Sequence, residues 1–155
     1  MPNGYVFPYG ITLSEEGKIT TFPAAEVGFT TREGERITLL LLIDSGATIS
    51  ALPKTDAETL GVVTEDGISV LIAGIDGKAV QGWRHEISIV LQNEQYNLPF
   101  VFLDNEEAPR ILGREGTFDR FTVIFQEDRQ RSALIKTQAE ESSVIGKTVD
   151  TLALQ

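Results

Sequence analysis

At 155 residues the chain carries enough sequence for one domain with its own core and too little for two ordinary ones. Hydrophobic residues make up 41% and charged residues 23%, an ordinary globular balance that excludes a fibrous class and wholesale disorder. Thirteen basic against twenty-three acidic residues leave a formal charge of -10, which argues against a surface for nucleic acid or anionic membrane, and the absence of cysteine excludes a disulfide framework, a thiolate metal site and a cysteine nucleophile.

The chain opens with MPNGYVFPYGITLSEEG, which lacks a basic start followed by an apolar run, so no secretory signal is apparent. Residues 1–16, with glycines and prolines beside tyrosine and phenylalanine, read as an N-terminal arm or leader. AEVGFTT and RITLLLLI flank REGE, a hairpin turn in which Gly34 is free to take positive φ. The longest apolar run, Leu39 to Ile43, is far too short to cross a membrane, and the expectation is a soluble cytoplasmic protein.

PKTDAETLG predicts a short helix, entered at Pro53, capped by Thr55 or Asp56 and ended at Gly61. ISVLIAG and KAVQGW flank IDG, where Asp76-Gly77 marks a second hairpin. HEISIVL alternates and then turns at Asn93-Glu94 toward YNLPFVFL. RFTVIF, apolar at nearly every position, predicts a strand covered on both sides. A helix after Gly113 is weakened by Gly116, and SALIKTQAEE gives a faint helical hint within residues 131–155, a tail or exchanged arm. The fold class is all-β, a small partly closed barrel with one or two short helices, whose main domain spans residues 17–130.

One stretch stands out. In LLIDSGATIS an apolar strand runs into Asp44, where burying a charge costs several kcal/mol unless it is paired or hydrogen-bonded. Asp-Ser-Gly alone is common in turns and caps for backbone reasons. Its setting favours chemistry: Ala47 and Thr48 follow, and a second apolar strand-end motif, APRILGRE, lies well downstream.

The apolar strand, Asp44-Ser45-Gly46-Ala47 and Ile49 to Leu52 together resemble the active-site loop of retroviral-type aspartic proteases, the retropepsins. LIAGIDGKAVQGW resembles their flap hairpin, and RILGRE matches their apolar pair followed by Gly113 and Arg114. The likeness covers roughly residues 18–126 in the family's order. It implies a retropepsin-like fold and a peptide or protein substrate, with Asp44 as the catalytic acid in a loop formed by Ser45, Gly46, Ala47 and Thr48. It further implies a substrate-binding flap at Ala73, Gly74, Ile75, Asp76 and Gly77, and pocket wall and loop support from Ile111, Leu112, Gly113 and Arg114.

Peptide hydrolysis by carboxylates needs two acids close enough to share a proton, one ionised to activate water and one protonated to polarise the carbonyl. The chain holds a single Asp-Ser-Gly, so the resemblance implies a homodimer in which two Asp44 side chains meet across a two-fold axis. An acidic optimum follows from the shared proton. No cofactor or metal is called for, and His85 alone makes neither a metal site nor a triad. Thr48 stands where many retroviral enzymes carry a further acid, which puts an ion-pair role for Arg114 in question. Beyond Phe125 the chain runs on for thirty residues, where those enzymes end.

Two other classes stay open from the residues alone. DSGAT also satisfies the Asp-x-Gly-x-Thr phosphate loop of actin-like ATPases, although the length and alternating helices of that fold are missing. A retropepsin fold kept only for dimerisation or peptide binding would show the same sequence. A serine hydrolase built on Ser45 lacks a nucleophile-elbow pattern.

Overall fold

The computed structural model describes residues 1–74 and 76–155. Twelve strands and two α-helices follow in the order β1 (Gly4–Pro8), β2 (Gly10–Leu13), β3 (Ile19–Phe22), β4 (Ala24–Thr30), β5 (Arg36–Ile43), β6 (Ser50–Pro53), α1 (Lys54–Thr59), β7 (Ile68–Ala73), β8 (Ala79–Leu91), β9 (Glu94–Leu103), β10 (Ile111–Leu112), β11 (Phe121–Gln126), β12 (Arg131–Lys136) and α2 (Glu140–Ala153). Seven strands form one sheet in the order β4-β5-β10-β6-β9-β8-β7, and a bridge between Gly28 of β4 and Val90 of β8 curls it into a ring.

Each expected hairpin forms. β4 and β5 pair from Ala24↔Leu42 to Thr30↔Arg36, with Gly34 at φ +85 in the turn between them. β7 and β8 pair from Ile68↔Arg84 to Ala73↔Ala79, and β8 continues into a second hairpin with β9. Alternation explains the core: along β5, Leu41 and Ile43 are buried while Leu40 and Leu42 face the other way, the period-2 geometry of a strand with one side inward. α1 takes Pro53 as its N-terminal flank and reaches Gly61 at φ +70, as the sequence predicts, but Thr55 and Asp56 make no capping bond. Asp56 is instead buried against Arg110, whose Nε and Nη2 reach its carboxylate at 2.7 and 2.9 Å.

The short strand β10 determines where the site sits. Ile111 and Leu112 insert between β5 and β6, parallel to the first and antiparallel to the second. The chain leaving β5 must therefore pass over the end of β10 to reach β6, and residues 44–49 make that crossing.

Both ends of the chain fold into a three-stranded sheet, β1-β12-β11, whose Tyr5, Phe7, Phe121 and Leu134 join the main core. SALIKTQAEE is thus chiefly strand, because Leu134 is fully buried and Arg131–Lys136 pairs on both sides, and the helix begins only at Glu140. In β11 Phe121 is buried, Phe125 is 40% exposed and the residues between them are half-buried, so a strand expected to be covered on both sides is only partly covered. α2 is docked chiefly through Ser142, whose hydroxyl lies 2.9 Å from both Thr122 Oγ1 and the Lys136 carbonyl. Among the described residues no helix is long and apolar enough to cross a membrane.

A polar cluster fastens the terminal sheet to the main one. Lys136 Nζ lies 2.6 Å from Glu94 Oε2, which also accepts hydrogen bonds from the Tyr5 and Tyr96 hydroxyls. Lys136 and then these hydroxyls hold the Glu94 carboxyl down to about 2, against an ordinary 4.5. A depressed folded-state pKa supplies stability above the unfolded value that is lost as pH falls through the folded one. Glu94→Gln is expected to lower the melting temperature at neutral pH, with the gap to wild type closing between about pH 4.5 and 2. A gap that stays constant in melting curves across that window would show that the cluster contributes no pH-linked stability.

Candidate active site

Asp44 follows directly on Ile43, the last residue of β5, at the point where the sheet opens around β10. Its main-chain N–H donates to the Leu112 carbonyl at 3.0 Å, continuing the parallel ladder one step past the strand. Its carboxylate Oδ1 accepts the Gly46 N–H at 2.9 Å, closing a tight turn around the acid. A Cβ on residue 46 would stand 3.2 Å from that same oxygen, so glycine leaves the carboxylate room. Asp44 and Ala47 are half-buried, whereas Ser45, Gly46 and Thr48 are exposed. The acid is therefore held from one side and open on the other.

The loop is tied to the strand-end motif by successive hydrogen bonds. Arg114 N–H donates to the Ala47 carbonyl at 2.9 Å, and Glu115 N–H donates to the Thr48 carbonyl at 2.8 Å. Gly113 N–H donates to Ser50 Oγ at 2.9 Å in a fully buried position, and Ser50 is wholly inaccessible. Close packing explains the glycine: a Cβ on residue 113 would come within 2.5 Å of the Ile49 carbonyl carbon and oxygen. Gly113 thus fits flush beneath the loop that carries Asp44.

The structure brings Asp44, Ser45, Gly46, Ala47 and Thr48 together with Ile111, Leu112, Gly113 and Arg114 in this ladder. Leu112 is a core residue, 1% exposed, and Ile111 is half-buried between Leu42 and Ala51. Ala73, Gly74, Asp76 and Gly77 form the exposed tip of the β7–β8 hairpin, closed by Gly74 N–H to the Lys78 carbonyl at 2.8 Å and by Lys78 N–H to Asp76 Oδ1 at 3.1 Å. Ile75, expected in the same flap, lies outside the described residues. His85 turns out to bind structure: its Nε2 lies 2.9 Å from the Thr64 carbonyl and its ring meets Phe102 edge-on.

Three parts of the neighbourhood escape a reading of motifs. Ser50 is one, and its signal was a hydroxyl at the head of a strand that is otherwise apolar. Arg84 of β8 is another: its guanidinium grips Glu115 at 3.1 and 2.5 Å, linking the strand that returns from the hairpin tip to the floor of the Asp44 loop. The third is a groove of about 470 Å³ lined by Phe22, Leu40, Leu42, Pro53, Ala108 and Pro109 among others. Leu40 and Leu42 project from the face of β5 opposite to the buried Leu41 and Ile43, and the residues lining the groove do not include the Asp44 loop. Two larger cavities, about 580 and 570 Å³, lie elsewhere, at the Glu94–Lys136 cluster and beside α1.

A model of the aspartyl protease family matches residues 29–115, the segment from β4 through the strand-end motif. The chain belongs to the aspartyl protease family. Among solved structures it is similar to a retropepsin-like aspartic protease from Rickettsia conorii, with a TM-score of 0.55 and 16% identity over 87% of this chain and 99% of that one. It is also similar to the EIAV protease complexed with the inhibitor HBY-793, with a TM-score of 0.45 and 20% identity over 66% of this chain and 88% of that one. The first of these likenesses fixes the fold of this aspartyl protease family member as retropepsin-like, as the sequence resemblance implied. No curated protein matches the chain.

Proposed function

We propose that this member of the aspartyl protease family is an endopeptidase that works as a homodimer, each protomer giving one Asp44 to a catalytic dyad. The carrying observation is the setting of Asp44, a half-buried acid just past the end of a strand, with its main-chain N–H held by the Leu112 carbonyl, its carboxylate held by the Gly46 amide, and its other side open. Small residues on its flank, Ser45, Gly46 and Ala47, allow a second such loop to approach it. The single Asp-Ser-Gly of the chain makes the second carboxylate a partner's.

In the dyad the two carboxylates hold one proton between them. The ionised one takes a proton from water as it attacks the scissile carbonyl carbon, and the protonated one donates to the carbonyl oxygen. Collapse of the resulting diol breaks the C–N bond, with the proton delivered to the leaving amine. Activity then falls both at low pH, where both acids are protonated, and at higher pH, where neither is. The hairpin tip at Ala73, Gly74, Asp76 and Gly77 supplies backbone groups to an extended peptide, and closes over it.

Subunit mixing tests the shared dyad. Wild-type protein is equilibrated with Asp44→Asn protein and assayed on a mixed peptide library by mass spectrometry between about pH 4 and 7. With an about tenfold excess of the variant, most wild-type chains sit in mixed dimers and cleavage is expected to fall to about a tenth. Cleavage that stays proportional to the wild-type chain added would show that one Asp44 suffices and would sink the dyad.

A further inference from the structure

The strand-end motif beneath the Asp44 loop carries a cation that forms no ion pair among the described residues. Arg114 is exposed, and its Nη2 stands 3.5 Å from Thr48 Oγ1, the longest and weakest contact in the ladder. Among the described residues no carboxylate forms an ion pair with it. The acid beside it in sequence is already taken, because Glu115 is gripped through both oxygens by Arg84. Asp44 accepts from the Gly46 amide and, among the described residues, makes no ion pair.

An exposed arginine is ordinary on a protein surface, and position is what distinguishes this one. Its N–H is bonded to the Ala47 carbonyl, and its own carbonyl accepts the N–H groups of Thr117 and Phe118 at 3.0 and 2.8 Å. The residue that carries the guanidinium is therefore fixed to the same ladder that fixes Asp44, three residues from it along the loop. Three extended residues span at most about 10 Å, and a bound extended peptide advances about 3.3 Å per residue. The backbone of Arg114 is thus anchored within about 10 Å of Asp44, a span of about three residues of a bound extended peptide.

We propose that Arg114 is a specificity-determining residue, whose guanidinium receives the carboxylate of an aspartate or glutamate within three positions of the cleaved bond. The proposal rests on the endopeptidase reading above. A guanidinium presents paired N–H donors that match a carboxylate, and the Thr48 hydroxyl beside it can donate as well. The selection is local: a chain of charge -10 repels an acidic peptide at long range, so the preference comes from this contact and not from steering.

The test uses decapeptides with an apolar pair at the centre and one glutamate or glutamine scanned through the three positions on either side. Wild type is expected to cleave the glutamate member about three- to tenfold faster at one position, with the ratio shrinking as salt is raised. In Arg114→Gln that ratio is expected to fall to one, whatever the absolute rate, and in Arg114→Lys to be partly kept. Binding of the same peptides to Asp44→Asn, read by fluorescence anisotropy, separates recognition from turnover. A glutamate preference that persists in Arg114→Gln, or none in either cleavage or binding, overturns the assignment. Glutamate-selective binding that depends on Arg114, with no cleavage by wild type, would retain it and sink the endopeptidase reading instead.

Discussion

Replacing Asp44 by asparagine is expected to lower peptide cleavage by at least about 10³-fold, because in the proposed dyad the carboxylate serves both as base toward water and as acid toward the carbonyl. The substitution suits the question because it removes the titrating group and little else. Asn Oδ1 can still accept the Gly46 N–H that Asp44 Oδ1 accepts at 2.9 Å, and the main-chain bond to the Leu112 carbonyl does not involve the side chain. Among the described residues Asp44 makes no ion pair whose loss would unbalance a buried charge. The melting temperature and the oligomeric state are accordingly expected to stay close to wild type. Asp44→Ala is the informative contrast: it loses the turn-closing acceptor as well, so its activity and part of its loop stability should go together. Measuring kcat/KM and thermal unfolding on both variants separates chemistry from support. Cleavage by Asp44→Asn at more than about a hundredth of the wild-type rate would remove Asp44 from the chemistry.

Most of what surrounds Asp44 could be read from the sequence, and the part that could not has a physical reason. Local signals were sufficient for the hairpins: Gly34 and Asp76-Gly77 mark turns between alternating strands, and those strands pair with each other as antiparallel hairpins. The apolar run ending at Asp44 and the distant RILGRE are each legible as motifs, but their contact is a matter of topology. Only the insertion of β10 between β5 and β6 reveals that Gly113 underlies Ile49 and that Ser50 receives its N–H. A side chain chosen by a partner 63 residues away leaves almost no trace in its own neighbourhood. The Arg84–Glu115 grip is of the same kind, a pairing across 31 residues that charge patterning along one segment does not reveal. The helical hint in SALIKTQAEE failed for the opposite reason. SALIKTQAEE has the composition of a modest helix, and burial of Leu134 between β1 and β11 overrode that preference.

Gly113 carries the second large effect, because its replacement by alanine has nowhere to go. The added methyl would meet the carbonyl carbon and oxygen of Ile49 at 2.5 Å and the amide nitrogen of Ser50 at 2.9 Å. All three are backbone atoms of the crossing from β5 to β6, so no rotamer change can relieve the overlap. The residue is itself held by its N–H to Ser50 Oγ and cannot retreat without leaving a buried acceptor unpaired. Relief must come from spreading β10 away from β6, and overpacking of this kind costs about 3 kcal/mol. For a domain of this size that corresponds to a melting temperature lower by roughly 6–12 °C. The movement also reaches the chemistry. Spreading pulls on Arg114 and Glu115, which hold Ala47 and Thr48, and on Leu112, which holds the Asp44 amide. Catalytic rate is therefore expected to fall further than the folded fraction does, measured at a temperature where the variant remains folded. Gly146→Ala is the matched control: it lies in α2 with open space around it and should be neutral or stabilising by up to about 1 kcal/mol. If Gly113→Ala melts like wild type, the loop and the strand end are not packed as described, and the support for Asp44 must lie elsewhere. If it melts early but keeps full activity while folded, the ladder beneath the loop serves stability alone.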